Sequence, residues 1–278
     1  MLRQRIITAV ILASVFLASV IFLNMNWLSL LFAFISMAAA WEWAGLAGWT
    51  MSWQRGLYSL VLFACLVGLW FFCELGDAPT RAAVQPWLGI ACLFWSVAML
   101  LVESYPRSTW LWRSAITRTL MGWLILTATW LSAVFLLSLP HGPFLMVVLV
   151  VGVAAADISA YFVGRKWGAH KLAPAVSPGK TWEGLWGGVL GVLVVTGVVA
   201  AILPLSLSHL ALPSIFILGL AFAGASVLGD LTVSMVKRVS GVKDSGSLLP
   251  GHGGVLDRLD SLCGASPVFA LGLILMGY

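Results

Sequence analysis

The sequence predicts an all-α, polytopic integral membrane protein with about nine transmembrane helices and a cytoplasmic N-terminus. Three observations carry that prediction. Of 278 residues, 61% are hydrophobic and only 9% are charged, with a mean hydropathy of +1.04. A soluble domain carries about 25% charged residues, so this surface is not one that water keeps dissolved. The apolar residues also run continuously instead of alternating, which excludes a transmembrane β-barrel. Finally, the basic residues gather between alternate apolar runs, which is the signature of a fixed orientation in a bilayer.

A bilayer-crossing helix needs roughly 20 mostly apolar residues. Stretches of that kind are Ile6–Leu23, Trp27–Ala47, Gly56–Cys73, Val84–Val102, Thr119–Leu139, Pro143–Gly164, Gly184–Leu203 and Leu210–Met235, and a short final one is Cys263–Tyr278. The first follows Arg3 and Arg5 but shows no small-residue cleavage site before the next span, so it is read as retained. With the N-terminus inside and the spans alternating, 14 of the 15 Lys and Arg residues fall in the cytoplasm, and only Arg81 lies outside. The basic charge is thus a topology signal, and no nucleic-acid partner is expected. Residues 1–139 are read as scaffold and lipid cavity, and 140–278 as a catalytic region with two cytoplasmic loops, 165–183 and 237–261.

The scarce polar residues point to where chemistry lies. Glu74, Asp77 and Glu103 sit at span edges where water reaches them, and Glu42, between Trp41 and Trp43, reads as an interfacial carboxylate in an aromatic belt. The six other carboxylates, Asp157, Glu183, Asp230, Asp244, Asp257 and Asp260, all flank the two loops. An ionisable side chain inside a span is costly and marks a functional site by default. Cys65, Cys73, Cys92 and Cys263 form no CxxC pair and read as apolar filler.

If the eighth span continues as a helix, Asp230, Ser234 and Lys237 share one face at i, i+4 and i+7, with Arg238 at its edge. Lys243 and Asp244 follow, then the glycine-rich stretch Gly251-His252-Gly253-Gly254, whose backbone amides are open to an anion. A helix starting near Val255 would place Asp257 and Asp260 on one face, with Arg258 between them. Carboxylates suit a hard cation such as Mg²⁺, which uses one or two of them together with substrate phosphates. Basic groups suit the phosphates themselves. The combination is what metal-assisted phosphoryl or nucleotidyl transfer requires.

The other loop carries Arg165 and then Ser177-Pro178-Gly179-Lys180-Thr181. A P-loop is excluded, because the first glycine of that motif falls on Pro174. Thr181 and Glu183 suit a helix start. Gly184, Gly187, Gly188 and Gly191 follow at small-xxx-small spacing and suit close helix packing.

The segment Ser234–Asp260 resembles the signature of the phosphatidate cytidylyltransferases, also called CDP-diacylglycerol synthases: Ser234, Lys237-Arg238, Lys243-Asp244, His252-Gly253-Gly254 and Asp257-Arg258-Leu259-Asp260. The upstream Asp157…Gly164-Arg165 and Ser177-Pro178…Lys180-Thr181-Trp182-Glu183-Gly184 are similar to that family too. The resemblance implies transfer of CMP from CTP to phosphatidic acid, giving CDP-diacylglycerol and pyrophosphate. It also implies Mg²⁺ as cofactor, a homodimer, and a catalytic site on the cytoplasmic side of the membrane; a second, monovalent cation and a bacterial-type inner membrane are further expectations.

On that resemblance Asp230 and Asp257 hold the metal; the residues themselves suggest Asp260 beside them, and Lys237 and Arg238 acting in catalysis. Ser177, Lys180, Ser234, Lys243, His252, Gly253, Gly254 and Arg258 bind substrate phosphates, while Asp157, Arg165, Glu183 and Asp244 support them. Two rival functions fit the same residues less fully: a CTP-dependent lipid-alcohol kinase, and an ion or anion transporter whose carboxylates line a pathway.

Overall fold

A computed structural model describes residues 2–76, 80–202, 211–249 and 253–278, with the backbone alone for 2–6 and 9. Ten helices are described: α1 (Leu2–Phe22), α2 (Met25–Ala47), α3 (Ser52–Phe72), α4 (Arg81–Glu103), a single turn α5 (Thr109–Trp112), α6 (Ala115–Ser138), α7 (Gly142–Trp167), α8 (Trp182–Ala201), α9 (Leu212–Val239) and α10 (Leu256–Leu275). Eight of these, α2–α4 and α6–α10, are long and apolar enough to cross a membrane, with mean hydropathy between 1.4 and 2.2. In α1 the apolar helical part is the shorter Val10–Phe22. Nine spans and the side of the N-terminus therefore stay expectations.

The apolar residues divide by what they face. Trp43, Leu62, Leu88, Leu131, Phe135 and Leu149 are fully buried between helices. Phe71, Phe72, Leu93, Trp110, Ile217 and Leu275 are among the many large side chains left exposed. A surface of that composition is stable against lipid, where the backbone must satisfy itself within helices.

Two helix pairs build the functional half. On α8 the glycine face meets α7 as its spacing predicts: a Cβ on Gly187 would come within 2.5 Å of Val163, and one on Gly188 within 2.9 Å of the Ala156 carbonyl. On the second pair, a Cβ on Gly264 of α10 would lie 2.0 Å from the Ala225 carbonyl oxygen of α9. Only the absence of side chains lets these backbones approach so closely.

Three features differ from the sequence-based expectation. The last span is no short run from Cys263, because α10 begins at Leu256 and spans 20 residues. Hydropathy puts its start too late because Asp257, Arg258 and Asp260 occupy its first turns, where protein partners compensate the carboxylates. The loops are shorter for the same reason, since α9 runs on to Val239. The first loop also folds into an antiparallel hairpin, β1 (Lys171–Ala173) and β2 (Ser177–Thr181), paired Lys171 to Thr181 and Ala173 to Ser177.

One end of the bundle is tied together by polar contacts. The Arg118 guanidinium, at the start of α6, donates to the Leu46 carbonyl at the end of α2 (2.6 Å) and to Ser240 Oγ just past α9 (3.1 Å). Ser240 Oγ donates to the same Leu46 carbonyl at 2.7 Å. Arg238 Nε donates to the Val176 carbonyl at 3.0 Å, fastening the hairpin to α9.

Candidate active site

The site lies at this tied end, where α7, β2, α9 and α10 meet. Helix α9 continues through the charged positions, so Asp230, Ser234 and Lys237 do share a face, as their spacing predicts. Ser234 Oγ donates to Asp230 Oδ1 at 3.0 Å. The other oxygen, Oδ2, pairs with Lys180 Nζ at 2.7 Å, reaching from β2. One turn further along α9, the Lys237 ammonium pairs with Asp257 Oδ1 of α10 at 2.8 Å, both side chains only 9% exposed. Asp257 Oδ2 accepts the backbone N–H groups of Ser245 and Gly254, each at 2.9 Å.

Asp260 is one turn beyond Asp257, buried, and takes the N–H of Ser261 on Oδ1 at 2.9 Å. It stands in the electrostatic field of Asp230, Lys237 and Lys180. Asp157 on α7 interacts with Lys180, Asp230 and the Ser261 hydroxyl. Four carboxylates from three helices thus surround two ammonium groups. The cluster carries a formal excess of two negative charges.

A cleft of about 500 Å³ opens beside it, lined by Asp157, Tyr161, Arg165, Ser177, Lys180 and Asp230. That volume lies within the roughly 300–1,000 Å³ range of small-molecule sites. Arg165 Nη1 donates to Tyr161 Oη at 3.1 Å, so this cation stands at the cleft beside an aromatic ring. Thr181 caps α8 by accepting the Gly184 N–H at 3.1 Å.

The remaining predicted residues are less central. Arg238 is exposed and holds Val176 instead of facing the carboxylates. Glu183 accepts from the His170 backbone and pairs with His170 Nδ1 at 2.7 Å, so its partner is the hairpin's approach and not a site lysine. Lys243 and Asp244 are exposed, and Arg258 is exposed on α10. Gly253, at φ +83°, packs beside Asp244 and Asp257, where a Cβ would come within 2.9 Å of Asp257 Oδ2. His252 lies outside the described residues, as do Asp77, His209, Pro250 and Gly251.

Sequence reasoning missed Glu42. It is not interfacial: it is 3% exposed, and its carboxylate accepts Ser245 Oγ (2.8 Å), the Val255 N–H (3.0 Å) and the Leu256 N–H (2.9 Å). Its partners lie more than 200 positions along the chain, where no local spacing connects them. The one available signal was a lone carboxylate within an apolar run.

Among the described residues, no three of His, Cys, Asp and Glu converge closely enough to hold a metal ion unaided. The donor set nonetheless fits a divalent cation that takes its remaining ligands from phosphate, since the cluster's excess charge is two and its donors are hard oxygens.

Fold and site together define a polytopic helical membrane protein with a carboxylate–lysine cluster at one end of the bundle. The model of the cytidylyltransferase family matches residues 3–276, and the chain belongs to that family. A phosphatidate cytidylyltransferase of Pseudomonas aeruginosa is 42% identical over 279 residues, covering 100% of this chain and 99% of its own. One of Haemophilus influenzae is 35% identical over 287 residues, covering 97% and 98%. An uncharacterised Escherichia coli protein, YnbB, is 40% identical over 154 residues, about half of each chain.

Proposed function

We propose that this protein transfers CMP from CTP to phosphatidic acid, producing CDP-diacylglycerol and pyrophosphate for phospholipid synthesis. The observation that carries this reading is the convergence of four carboxylates and two lysines, Lys237 buried and Lys180 half-buried, beside a cleft at one end of an apolar bundle. A lipid phosphate and a nucleotide can meet there without either leaving its own phase.

In the reaction an oxygen of the phosphatidate bonds to the α-phosphorus of CTP. The bond from that phosphorus to the bridging oxygen breaks, and pyrophosphate leaves with the electron pair. The attacking phosphate is already anionic, so no protein nucleophile or general base is required. Lys180 and Lys237 offset charge on the phosphates, with Arg165 and Ser177 along the cleft wall and Arg258 and Lys243 nearer the surface. The Gly253 backbone amide is a further donor, while that of Gly254 is engaged by Asp257.

Asp230 and Asp257 are the residues that would hold Mg²⁺, with Asp260 and Asp157 adding negative field. When bound, the ion neutralises the nucleotide phosphates and polarises the reacting phosphoryl group. A monovalent cation is a second candidate for the same acidic cluster. The distribution of basic residues supports a cytoplasmic site, where CTP is available, in the inner membrane of a bacterial cell. A homodimer belongs to this reading through the family resemblance.

Purified protein given phosphatidic acid, Mg²⁺ and CTP labelled on either the α- or γ-phosphate tests the assignment. Label from the α-phosphate should enter the lipid, and label from the γ-phosphate should leave as pyrophosphate. A lipid carrying the γ-label would establish a kinase instead, and ion flux without CTP a transporter.

The lipid's acyl chains need an apolar site near the cluster. A cavity of about 510 Å³ between α1, α2, α6, α7 and α10 meets that need, with Phe16, Phe32 and Ala133 on its walls. Leu259, Leu262 and Ala154 also line it, each within a turn of Asp260 or Asp157. Ala133→Trp should raise KM for long-chain phosphatidic acid by about tenfold while sparing a short-chain analogue. An equal rise for both lipids would place the acyl chains elsewhere.

A further inference from the structure

We propose that Glu42 is a positioning residue for the transfer reaction: it fixes the start of α10, and so the Asp257 carboxylate, from the opposite half of the chain. The inference rests on the role given to Asp257 above.

The argument begins with α10 itself. The first N–H groups of a helix have no partner within it and need an acceptor from outside. Val255 stands at the N-cap and offers no side-chain hydrogen bond. Glu42 supplies the acceptor that α10 lacks, taking the Val255 N–H on Oε1 and the Leu256 N–H on Oε2. An anion at that end also complements the helix dipole.

The second part concerns Ser245. Its hydroxyl donates to Glu42 Oε2, while its backbone N–H donates to Asp257 Oδ2. Gly254 lies close against both without bonding to both: its N–H donates to Asp257, and a Cβ there would fall 2.3 Å from Glu42 Oε2. A Cβ on Gly246 would fall 2.5 Å from Glu42 Oε1. Two carboxylates, one from α2 and one from α10, therefore both hold Ser245, and the Val255 and Leu256 amides held by Glu42 directly follow the Gly254 amide held by Asp257.

Asp257 is the second residue of α10. Its place opposite Lys237, at 2.8 Å, is set by how that first turn is anchored. Without Glu42, two N–H groups at a largely buried helix start lose their acceptor, and such groups are costly to leave unsatisfied. The first turn frays, and Asp257 loses its defined position while remaining chemically intact.

The test uses the full chain in lipid nanodiscs. Glu42→Gln keeps the shape but offers one oxygen acceptor in place of two. It should lower kcat by about tenfold or more, as a displacement near 1 Å does, with KM for CTP and phosphatidic acid nearly unchanged. Amide hydrogen exchange should quicken across 245–260 and stay at the wild-type rate in α8. A role confined to overall folding predicts instead faster exchange throughout the bundle and a kcat that falls only with the folded fraction, and that result overturns the proposal. So does a folded Glu42→Gln protein with wild-type kcat. If that variant does not fold, Ser245→Ala removes a single bond and should give the same local exchange change with a smaller loss of kcat; no change in either overturns the proposal. Asp257→Asn, run in parallel, separates the two levels. Full activity there overturns the site assignment and this inference with it, whereas an inactive Asp257→Asn beside a normal Glu42→Gln overturns this inference alone.

Discussion

Asp257→Asn should reduce turnover by about 10²–10³-fold, the scale seen when one preorganised electrostatic group is removed from an active site. Asn keeps the shape of Asp257, and its oxygen still accepts from Ser245 and Gly254. Its amide nitrogen then faces the Lys237 ammonium, a donor against a donor, in a pair of which each side chain is 9% exposed. Breaking a buried ion pair by removing one partner costs about 3–5 kcal/mol, so thermal unfolding in detergent should shift downward as well. The double variant Asp257→Asn with Lys237→Met separates these effects. It removes the unpaired charge and should recover much of the stability while staying inactive. Near-normal turnover in the single variant would show that Asp257 has no part in the reaction.

Gly264→Val should be nearly as damaging, though residue 264 carries no chemistry. Its Cβ would meet the Ala225 carbonyl at 2.0 Å and the Gly229 nitrogen at 3.0 Å, and backbone atoms cannot rotate away. Helices α9 and α10 must separate, and they carry Asp230 and Lys237 on one side and Asp257 and Asp260 on the other. Overpacking of this kind costs about 1–3 kcal/mol or more. A 1 Å displacement of reacting groups costs about 100-fold in rate. Gly272→Val is the control: the nearest atoms there belong to the Leu218 side chain, which is able to move. Turnover and unfolding temperature of both variants, measured side by side, check the expectation. Equal effects would mean that the α9–α10 spacing does not govern the site.

Much of the site was legible along the chain because it depends on short-range periodicity. Asp230, Ser234 and Lys237 lie on one helical face because i, i+4 and i+7 fall within two turns. The glycines of α8 read correctly because small residues at that spacing leave a groove for a neighbouring backbone. The spacing of Asp257 and Asp260 rightly suggested a helix starting near Val255, but the last apolar span was begun too late, at Cys263, because hydropathy scores those carboxylates as if water were their only compensation. Arg238 reads along the chain as a catalytic cation beside Lys237, but its position at the edge of the face turns it to the hairpin carbonyl of Val176. Glu183 looked equally balanced between a site and a helix start, and its bond to His170 places it with the hairpin.

Sequence alone determined the membrane class, the helical architecture and a pool of candidate site residues. These follow from composition, from period and from motifs that lie within about 30 residues of one another. Tertiary structure alone decided which carboxylate meets which lysine, Asp230 with Lys180 and Asp257 with Lys237, and it brought Glu42 to the start of α10. Those pairings join residues separated by 20 to more than 200 positions. Only the packing of helices specifies them, because burial forces each polar group to find a partner wherever the fold supplies one.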